Sequence, residues 1–248
     1  MTTKMSPDAA DTEEPFFDDL AELYERFIHV MDSDRSPVRS WLREQLTGGR
    51  RALDLGCGGG RNSVLLAEKY DEVLGVDISQ RMLDIAAGTH ARPNVRYERR
   101  GLSDLAPDTD GVFDVVLAVN ALFHMGPAER TLPRVRDLIA PGGKLVVVDV
   151  VHDENVDTDA PDWQTPYVFH TAEMVYRISG DADAAADSVR LMLHPTWLAM
   201  SRQTVPLRRP EFVRAYADAL PGAVFTETLN PTLMGVVWSA PDPSARAV

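Results

Sequence analysis

The feature that constrains this chain most is a glycine-rich turn between an apolar segment and a helical one. Residues 52–62 read Ala-Leu-Asp-Leu-Gly-Cys-Gly-Gly-Gly-Arg-Asn. The apolar start predicts a buried strand, and Gly56, Gly58 and Gly60 allow a tight turn that approaches a ligand closely, because glycine has no Cβ. A helix that follows points free N–H groups and its positive dipole end at that ligand. The segment therefore predicts a strand–turn–helix unit that binds a small ligand.

Short apolar runs alternate with helical patterns from this turn to residue 151, which is typical of β–α units in a parallel sheet covered on both faces. The predicted strands are 51–55, 72–77, 95–99, 113–119 and 144–151. The helices predicted between them are 61–70, 79–87 and 127–139. Pro133 falls inside the last of these, so we expect that helix to be kinked or to start late.

Outside this core, apolar spacing predicts helices over 16–31 and after Pro37, and a helix over 171–178. Propensity does not decide whether 180–187 is helical or a flexible connection. The pattern then resumes with a predicted helix over 211–220 and strands over 224–229 and 234–239.

We expect a single domain over residues 15–240, since a chain of 248 residues is long enough for one large core. Its predicted parts are N-terminal lid helices at 15–47, a core at 50–151, a lid or insert at 152–206, and a last helix and strands at 207–240. Residues 1–14 and 241–248 have no apolar periodicity and read as disordered tails.

Composition narrows the possible partners. The net charge of −13 would repel a phosphate backbone, so we expect no nucleic acid. Cys57 is the sole cysteine, which excludes an intramolecular disulfide and a cysteine-based metal site and favours a cytoplasmic location. The N-terminus does not read as a secretory signal, and no apolar run is long enough for a membrane span.

A second signal is Asp77, at the end of the predicted strand 72–77. A carboxylate at that position can accept hydrogen bonds from a ribose diol, as in dinucleotide-binding folds. Taken alone, Asp77 is equally suited to cap the helix that begins near Ser79. A nicotinamide-binding turn would place its third glycine at position 61, where this chain has Arg61.

Taken together, Asp54, the glycine pattern of residues 56–60 and Asp77 closely resemble the motifs of class I S-adenosylmethionine-dependent methyltransferases of the small-molecule type. Residues 113–124 and 141–147 resemble the fourth strand of that family and its turn into the fifth. The resemblance implies a Rossmann-like α/β fold: a seven-stranded, mostly parallel sheet with helices on both faces, plus helical lid segments. It also implies S-adenosyl-L-methionine as cofactor and S-adenosyl-L-homocysteine as product.

The resemblance further implies a set of cofactor-binding residues in the motifs and just after the third and fourth strands. They are Asp54, Gly56, Cys57, Gly58, Gly60, Asp77, Ile78, Met82, Gly101, Leu102, Ser103 and Asn120. The positions of Ile78 and Met82 pack on adenine in this family. Gly101 stands where the family often has an acid, so adenine recognition is expected from the Leu102 backbone, Ser103 or Asp104.

The carboxyl ends of the strands should also hold the acceptor. His124 is the first candidate for a general base and His152 the second, although each is also compatible with an ordinary loop histidine. Tyr24, Trp163 and Tyr167 are candidates for the acceptor pocket, although aromatic residues at helical spacing also form cores. We read the acidic residues at 153–159 as a solvated loop and expect no metal.

The sequence thus predicts methyl transfer to an oxygen, nitrogen or carbon atom of a small molecule. Two alternatives stay open: a cyclase or isomerase that binds S-adenosylmethionine without transferring its methyl group, and a non-catalytic cofactor-binding subunit. The acceptor, the methylated atom and the oligomeric state are not specified by these residues.

Overall fold

The computed structural model describes residues 14–33, 36–152, 164–230 and 232–243, and seven strands within them form one sheet. The strands are β1 (Gly49–Leu55), β2 (Tyr70–Asp77), β3 (Val95–Arg99), β4 (Phe113–Val119), β5 (Ile139–Val150), β6 (Val224–Asn230) and β7 (Leu233–Ser239). Their order is β3-β2-β1-β4-β5-β7-β6. Strands β1 to β5 pair in parallel, and β7 is antiparallel to both of its neighbours. The predicted mostly parallel sheet is confirmed.

The helices connect the strands and add a layer at the carboxyl edge of the sheet. They are α1 (Phe17–Met31), α2 (Pro37–Gln45), α3 (Arg61–Ala67), α4 (Gln80–Thr89), α5 (Pro107–Asp110), α6 (Ala128–Asp137), α7 (Gln164–Ser179), α8 (Ala182–Met192), α9 (Pro195–Gln203) and α10 (Arg209–Ala219). Short 3₁₀ turns follow β3 at Leu102–Asp104 and β4 at Leu122–His124.

Helices cover the sheet on both faces. Successive side chains of each strand point to opposite sides, so each central strand contributes to both apolar clusters. On one face Leu53 and Val116 pack with Leu132 of α6 and Phe212 of α10. On the other face a second cluster covers the sheet; it includes Ala52, Val115, Leu42 of α2 and Leu65 and Leu66 of α3. Helices on both faces explain why the central strands read as continuous apolar runs.

Several boundaries differ from the predicted ones. Helix α3 ends at Ala67 rather than at residue 70, because Tyr70 already pairs with β1. Strand β5 starts at Ile139, which pairs with Phe113 before a register shift. Pro133 lies inside α6, which runs from Ala128 without a late start. The tract at 180–187 is helical from Ala182 onward, because the Asp181 carboxylate caps α8 by accepting from Asp183 N at 2.8 Å.

Helix α1 packs against α4 and against α7, α8 and α9. Leu20 and Ala21 on its apolar side are fully buried. The predicted tails lie mainly outside the described residues, which begin at Glu14 and end at Pro243. Within the described part of the chain no helix is both long and apolar enough to cross a membrane.

Candidate functional site

The carboxyl ends of β1, β2, β4 and β5 open into a cavity of about 650 Å³, which we call the glycine-loop cavity. Parallel strands present these ends on one edge of the sheet, where ligands bind in open α/β folds. Seven of the predicted cofactor-binding residues line it: Gly56, Gly58, Asp77, Ile78, Met82, Gly101 and Asn120.

The turn after β1 requires glycine for two reasons. Gly56, Gly58 and Gly60 have φ values of +73°, +50° and +83°, a region that side chains with a Cβ rarely adopt. A Cβ at Gly56 would also lie only 2.6 Å from the Cβ of Ala121. Gly56 is therefore required both by the backbone conformation of the turn and by the close approach of the loop after β4.

Asp77 does not cap α4, because the Ser79 side chain accepts from Met82 N there; Asp77 instead accepts from two backbone N–H groups. Its Oδ2 accepts from Gly58 N and its Oδ1 accepts from Ser79 N, each at 2.9 Å. Burial raises the pKa of this carboxyl group. Asp77 thus ties the glycine turn to the start of α4, while a carboxylate has acceptor positions left for a ligand in the cavity that it lines.

Four predicted cofactor-binding residues line neither this cavity nor the second cavity described below: Asp54, Gly60, Leu102 and Ser103. Asp54 is buried under the turn, where Ser63 Oγ donates to its Oδ2 at 2.6 Å, and burial raises its pKa to about 7. Leu102 packs in the core. Direct contacts of these four with a ligand have no support from this geometry.

Asn120 combines a positive φ with a buried side-chain oxygen that has no hydrogen-bond partner. Its φ of +53° is the one positive value outside glycine in the described residues. Its Oδ1 is buried and has no hydrogen-bond partner, although the residue lines the glycine-loop cavity. An unsatisfied buried acceptor costs about 1–3 kcal/mol, and strained backbone costs about 1–3 kcal/mol as well. Such a cost fits a position that receives a donor from a ligand.

Asp149 was not among the predicted site residues, yet it lines the glycine-loop cavity. Its Oδ1 accepts from Ala121 N at 3.0 Å and its Oδ2 from Tyr216 Oη at 3.4 Å, so it holds the loop after β4. Burial raises its pKa to about 7. The signal available in the sequence was a single carboxylate within the apolar run 145–151.

A second cavity of about 540 Å³, the helical chamber, lies between α1, α7, α8, α9 and the ends of β4 and β5. Tyr24, His124, His152 and Tyr167 line it, as does the predicted cofactor residue Cys57. The chamber and the glycine-loop cavity share lining residues, among them Gly56, Gly58, Tyr24, Asn120 and His124. Trp163 and the acidic residues at 153–159 lie outside the described residues.

His124 sits where the two cavities meet. Its Nδ1 lies 3.1 Å from Thr204 Oγ1, and that hydroxyl is 3.0 Å from the carbonyl oxygen of Met200. The single hydroxyl proton has two possible acceptors: it is donated to Met200 O while the hydroxyl accepts from Nδ1, or it is donated to Nδ1 itself. The first arrangement leaves the basic lone pair of the ring on Nε2. Burial lowers the pKa of His124 to about 4, which keeps the ring neutral.

His152 is placed differently. Its backbone forms a bridge with Arg208, donating to Leu207 O at 3.0 Å. Burial and the nearby charge of Arg208 lower its pKa. His152 lines the helical chamber and does not line the glycine-loop cavity, so it is farther from the junction than His124.

Helix α1 contacts the cofactor motifs through carboxylates that the sequence did not single out. Asp18 Oδ1 accepts from Ser79 Oγ at 2.6 Å, at the start of α4. Glu25 Oε2 lies 3.3 Å from Arg61 Nη2, at the start of α3. These contacts place α1 over the two turns that lead into α3 and α4.

Comparison with known sequences agrees with this geometry. Residues 52–143 match a protein family described as a methyltransferase domain. The chain is 36% identical over 115 residues to the ubiquinone biosynthesis O-methyltransferase of Coxiella burnetii, covering 44% of this chain and 48% of the relative. It is 29% identical over 154 residues to the O-methyltransferase cnsE of Penicillium expansum, covering 55% of each. The chain thus spans about half the length of the curated relatives it matches.

Solved structures show the same fold over most of the chain. A complex of DhpI with SAH has a TM-score of 0.62 at 21% identity and covers 92% of this chain and 94% of that one. The N-methyltransferase NodS from Bradyrhizobium japonicum, in complex with S-adenosyl-L-homocysteine, has a TM-score of 0.55 at 12% identity and covers 92% and 100%. At these identities the likeness establishes the fold alone.

Proposed function

Because residues 52–143 match a family described as a methyltransferase domain, we propose that this chain is a class I S-adenosylmethionine-dependent methyltransferase and transfers a methyl group to an oxygen, nitrogen or carbon atom of a small molecule. One observation carries the proposal: the glycine-loop cavity and the helical chamber meet at Asn120 and His124. Two adjoining cavities suit a reaction in which a donor and an acceptor are held next to each other.

The residues present fit the cofactor of the family. S-adenosylmethionine, when bound, supplies an electrophilic methyl group on a sulfonium. Asp77 would accept hydrogen bonds from the ribose, Ile78 and Met82 would pack on adenine, and Gly56 and Gly58 would leave room for close approach. The unpartnered Oδ1 of Asn120 is the observation in this structure that supports a polar ligand here.

The protein's own part in the reaction is to align the reactants and exclude water. The helices α1, α7, α8 and α9 enclose the helical chamber above the sheet edge. When the acceptor is an alcohol, phenol or amine, the Nε2 lone pair of His124 would remove its proton. His152 is the less favoured base, because it does not reach the glycine-loop cavity.

The proposal is tested by calorimetry and by product analysis. We expect S-adenosylmethionine and S-adenosylhomocysteine to bind and NAD to give no heat, because Arg61 replaces the third glycine of a nicotinamide turn. Binding of NAD with no response to either adenosyl ligand would contradict the proposal. With a labelled cofactor, methylated product and S-adenosylhomocysteine should form together; a new product without S-adenosylhomocysteine would favour a cyclase or isomerase.

A further inference from the structure

Resting on the proposed methyl transfer, we infer that the acceptor is a neutral, largely apolar alcohol or phenol whose apolar body lies in the helical chamber. The walls of this chamber provide the first argument. Val168, Met192, Met200 and Leu229 line it and are each less than a tenth exposed, and the flexible side chain of Met174 lines it as well. Burying apolar ligand surface against such walls is favourable.

Charge pairing provides the second argument. Among the described residues, the lining of the helical chamber contains three carboxylate or guanidinium side chains: Glu25, Asp32 and Arg61. Glu25 pairs with Arg61 at 3.3 Å, and Asp32 pairs with Arg39 at 3.1 Å. A carboxylate or ammonium group on the acceptor would lose its hydration without gaining a free counter-ion, which is costly.

The position of the polar groups provides the third argument. Asn120 and His124 line the junction of the two cavities, whereas Met174 and Met192 line only the helical chamber, as do Asn62, whose Oδ1 is buried without a partner, and His152. A volume of about 540 Å³ lies within the usual range for small-molecule sites. Because the methyl donor is proposed to lie in the glycine-loop cavity, the reacting hydroxyl group of the acceptor is assigned to the junction and its rings or chains to the chamber.

The experiment compares neutral phenols with their carboxylated partners. Calorimetry on the protein saturated with S-adenosylhomocysteine would measure phenol against 4-hydroxybenzoate and 2-naphthol against 6-hydroxy-2-naphthoate. We expect at least one neutral compound to bind, and to bind at least about tenfold more tightly than its carboxylated partner. Equal or tighter binding of the carboxylates, or binding of none of the neutral compounds, would overturn the inference.

A matched pair of variants locates the binding site. Met174→Lys places a cation in the chamber wall and should reduce the preference for the neutral partner at least about tenfold, since it offers a counter-ion to the carboxylate. Met174→Leu keeps the wall apolar and should keep the preference. An unchanged preference in Met174→Lys would place the phenols elsewhere. If neutral phenols bind but yield no methylated product with S-adenosylmethionine, the proposed methyl transfer is contradicted and the inferred preference of the chamber is not.

A different observation carries a second inference that also rests on the proposed function: we propose that Thr204 is a positioning residue that fixes the tautomer of His124. Thr204 lies just after α9, and its hydroxyl is shared between Met200 O at 3.0 Å and His124 Nδ1 at 3.1 Å. In this arrangement the hydroxyl donates to the Met200 carbonyl and accepts from Nδ1 of the ring. Free histidine favours the opposite tautomer, with the proton on Nε2, which would leave no base at the junction.

Nitrogen-15 NMR of the imidazole rings tests this independently of turnover. The folded protein at neutral pH should show His124 protonated on Nδ1, and Thr204→Ser should keep that pattern because the hydroxyl remains. Thr204→Val should shift His124 toward the Nε2-protonated form and lower kcat at least about tenfold, while the Kd of S-adenosylhomocysteine stays near that of the parent. An Nε2-protonated His124 in the parent protein, or an unchanged tautomer in Thr204→Val, would overturn the role of Thr204.

Discussion

At the scale of single residues, two polar side chains of the site, those of Asn120 and Asp77, have acceptor positions that no protein donor fills. Asn120 Oδ1 has no hydrogen-bond partner, and the Asp77 carboxylate accepts one hydrogen bond from Gly58 N and one from Ser79 N. Burial disfavours the ionised form of Asp77, and the two backbone donors favour it. We therefore expect ligand binding to be strongly sensitive to substitutions at such positions.

Replacing Asp77 tests the ribose contact. Asp77→Ala should weaken S-adenosylhomocysteine binding by about 10- to 100-fold, since each hydrogen bond to a charged group is worth roughly 1.5–3 kcal/mol. Calorimetry gives the affinity, and circular dichroism checks the fold. Asp84→Ala is the matched control, because Asp84 is an exposed carboxylate on the adjoining helix α4. A folded Asp77→Ala variant with unchanged affinity would remove Asp77 from the site.

Replacing His124 tests the general base. His124→Gln should lower kcat by at least about 100-fold, since a general base contributes about 10²- to 10⁴-fold, with cofactor affinity near that of the parent. His170→Gln is the control, because His170 is exposed on α7 and lines neither cavity. If kcat falls less than about tenfold, proximity alone carries the reaction.

The pH profile of kcat gives a second test of His124. A base acts in its deprotonated form, so its contribution is present above the folded-state pKa and is lost as the pH falls through that value. Burial lowers the pKa of His124 to about 4. We therefore expect no loss of kcat from His124 between about pH 8 and pH 5.5, measured with the protein checked for folding at each pH. A protonation step near pH 6.5 that disappears in His124→Gln would contradict this assignment.

At the scale of elements, α1 is the piece that joins the helical layer to the cofactor motifs. It lines both cavities through Phe17 and Tyr24, and Glu25 pairs with Arg61. Its fully buried Leu20 and Ala21 face away from solvent. Its predicted role as a lid rests on these contacts.

Two truncations separate α1 from the residues before it. Deleting residues 1–14 should leave turnover intact, whereas deleting 1–31 should abolish it, because only the longer deletion removes the side chains of α1 that line both cavities. Turnover and S-adenosylhomocysteine binding would be measured for each, with circular dichroism to confirm that the sheet persists. Full activity of the longer truncation would show that α1 does not cover the site.

At the scale of the whole molecule, the sheet contains a buried carboxylate whose ionisation opposes folding. Asp54 is almost fully buried in β1, with Ser63 as its side-chain partner. Burial raises its pKa from 3.8 to about 7. A raised carboxyl pKa means that the folded state binds more protons than the unfolded state between these values, so this group makes the protein less stable as the pH rises through that window.

Asp54→Asn removes this ionisation and retains an acceptor for Ser63. The variant should gain about 1–3 kcal/mol of unfolding free energy relative to the parent at pH 8, and clearly less at pH 5, as pKa linkage requires. Urea denaturation at both pH values measures the difference, and the exposed Asp84→Asn serves as control. An equal gain at pH 5 and pH 8 would show that Asp54 is not protonated on folding.

The sequence by itself determined the features that depend on neighbouring residues. Strands β3 and β4 have the predicted bounds, since the alternation of polar and apolar residues in β3 and the apolar run in β4 are local signals. The glycine turn could be predicted because glycine adopts positive φ values easily, and this depends on the single residue and not on distant contacts. The order of strands and helices in the core followed from these segments along the chain.

Only the tertiary structure decided the contacts between residues far apart in the chain. Glu25 and Arg61 are 36 positions apart, His124 and Thr204 are 80 apart, and Tyr216 reaches Asp149 across 67 positions. No local pattern encodes such pairs, because they form only when α1, α9 and α10 pack against the carboxyl edge of the sheet. The same packing buries Asn120 Oδ1 without a partner and lowers the pKa of His124, so the fold decided that the ring of the candidate base is neutral.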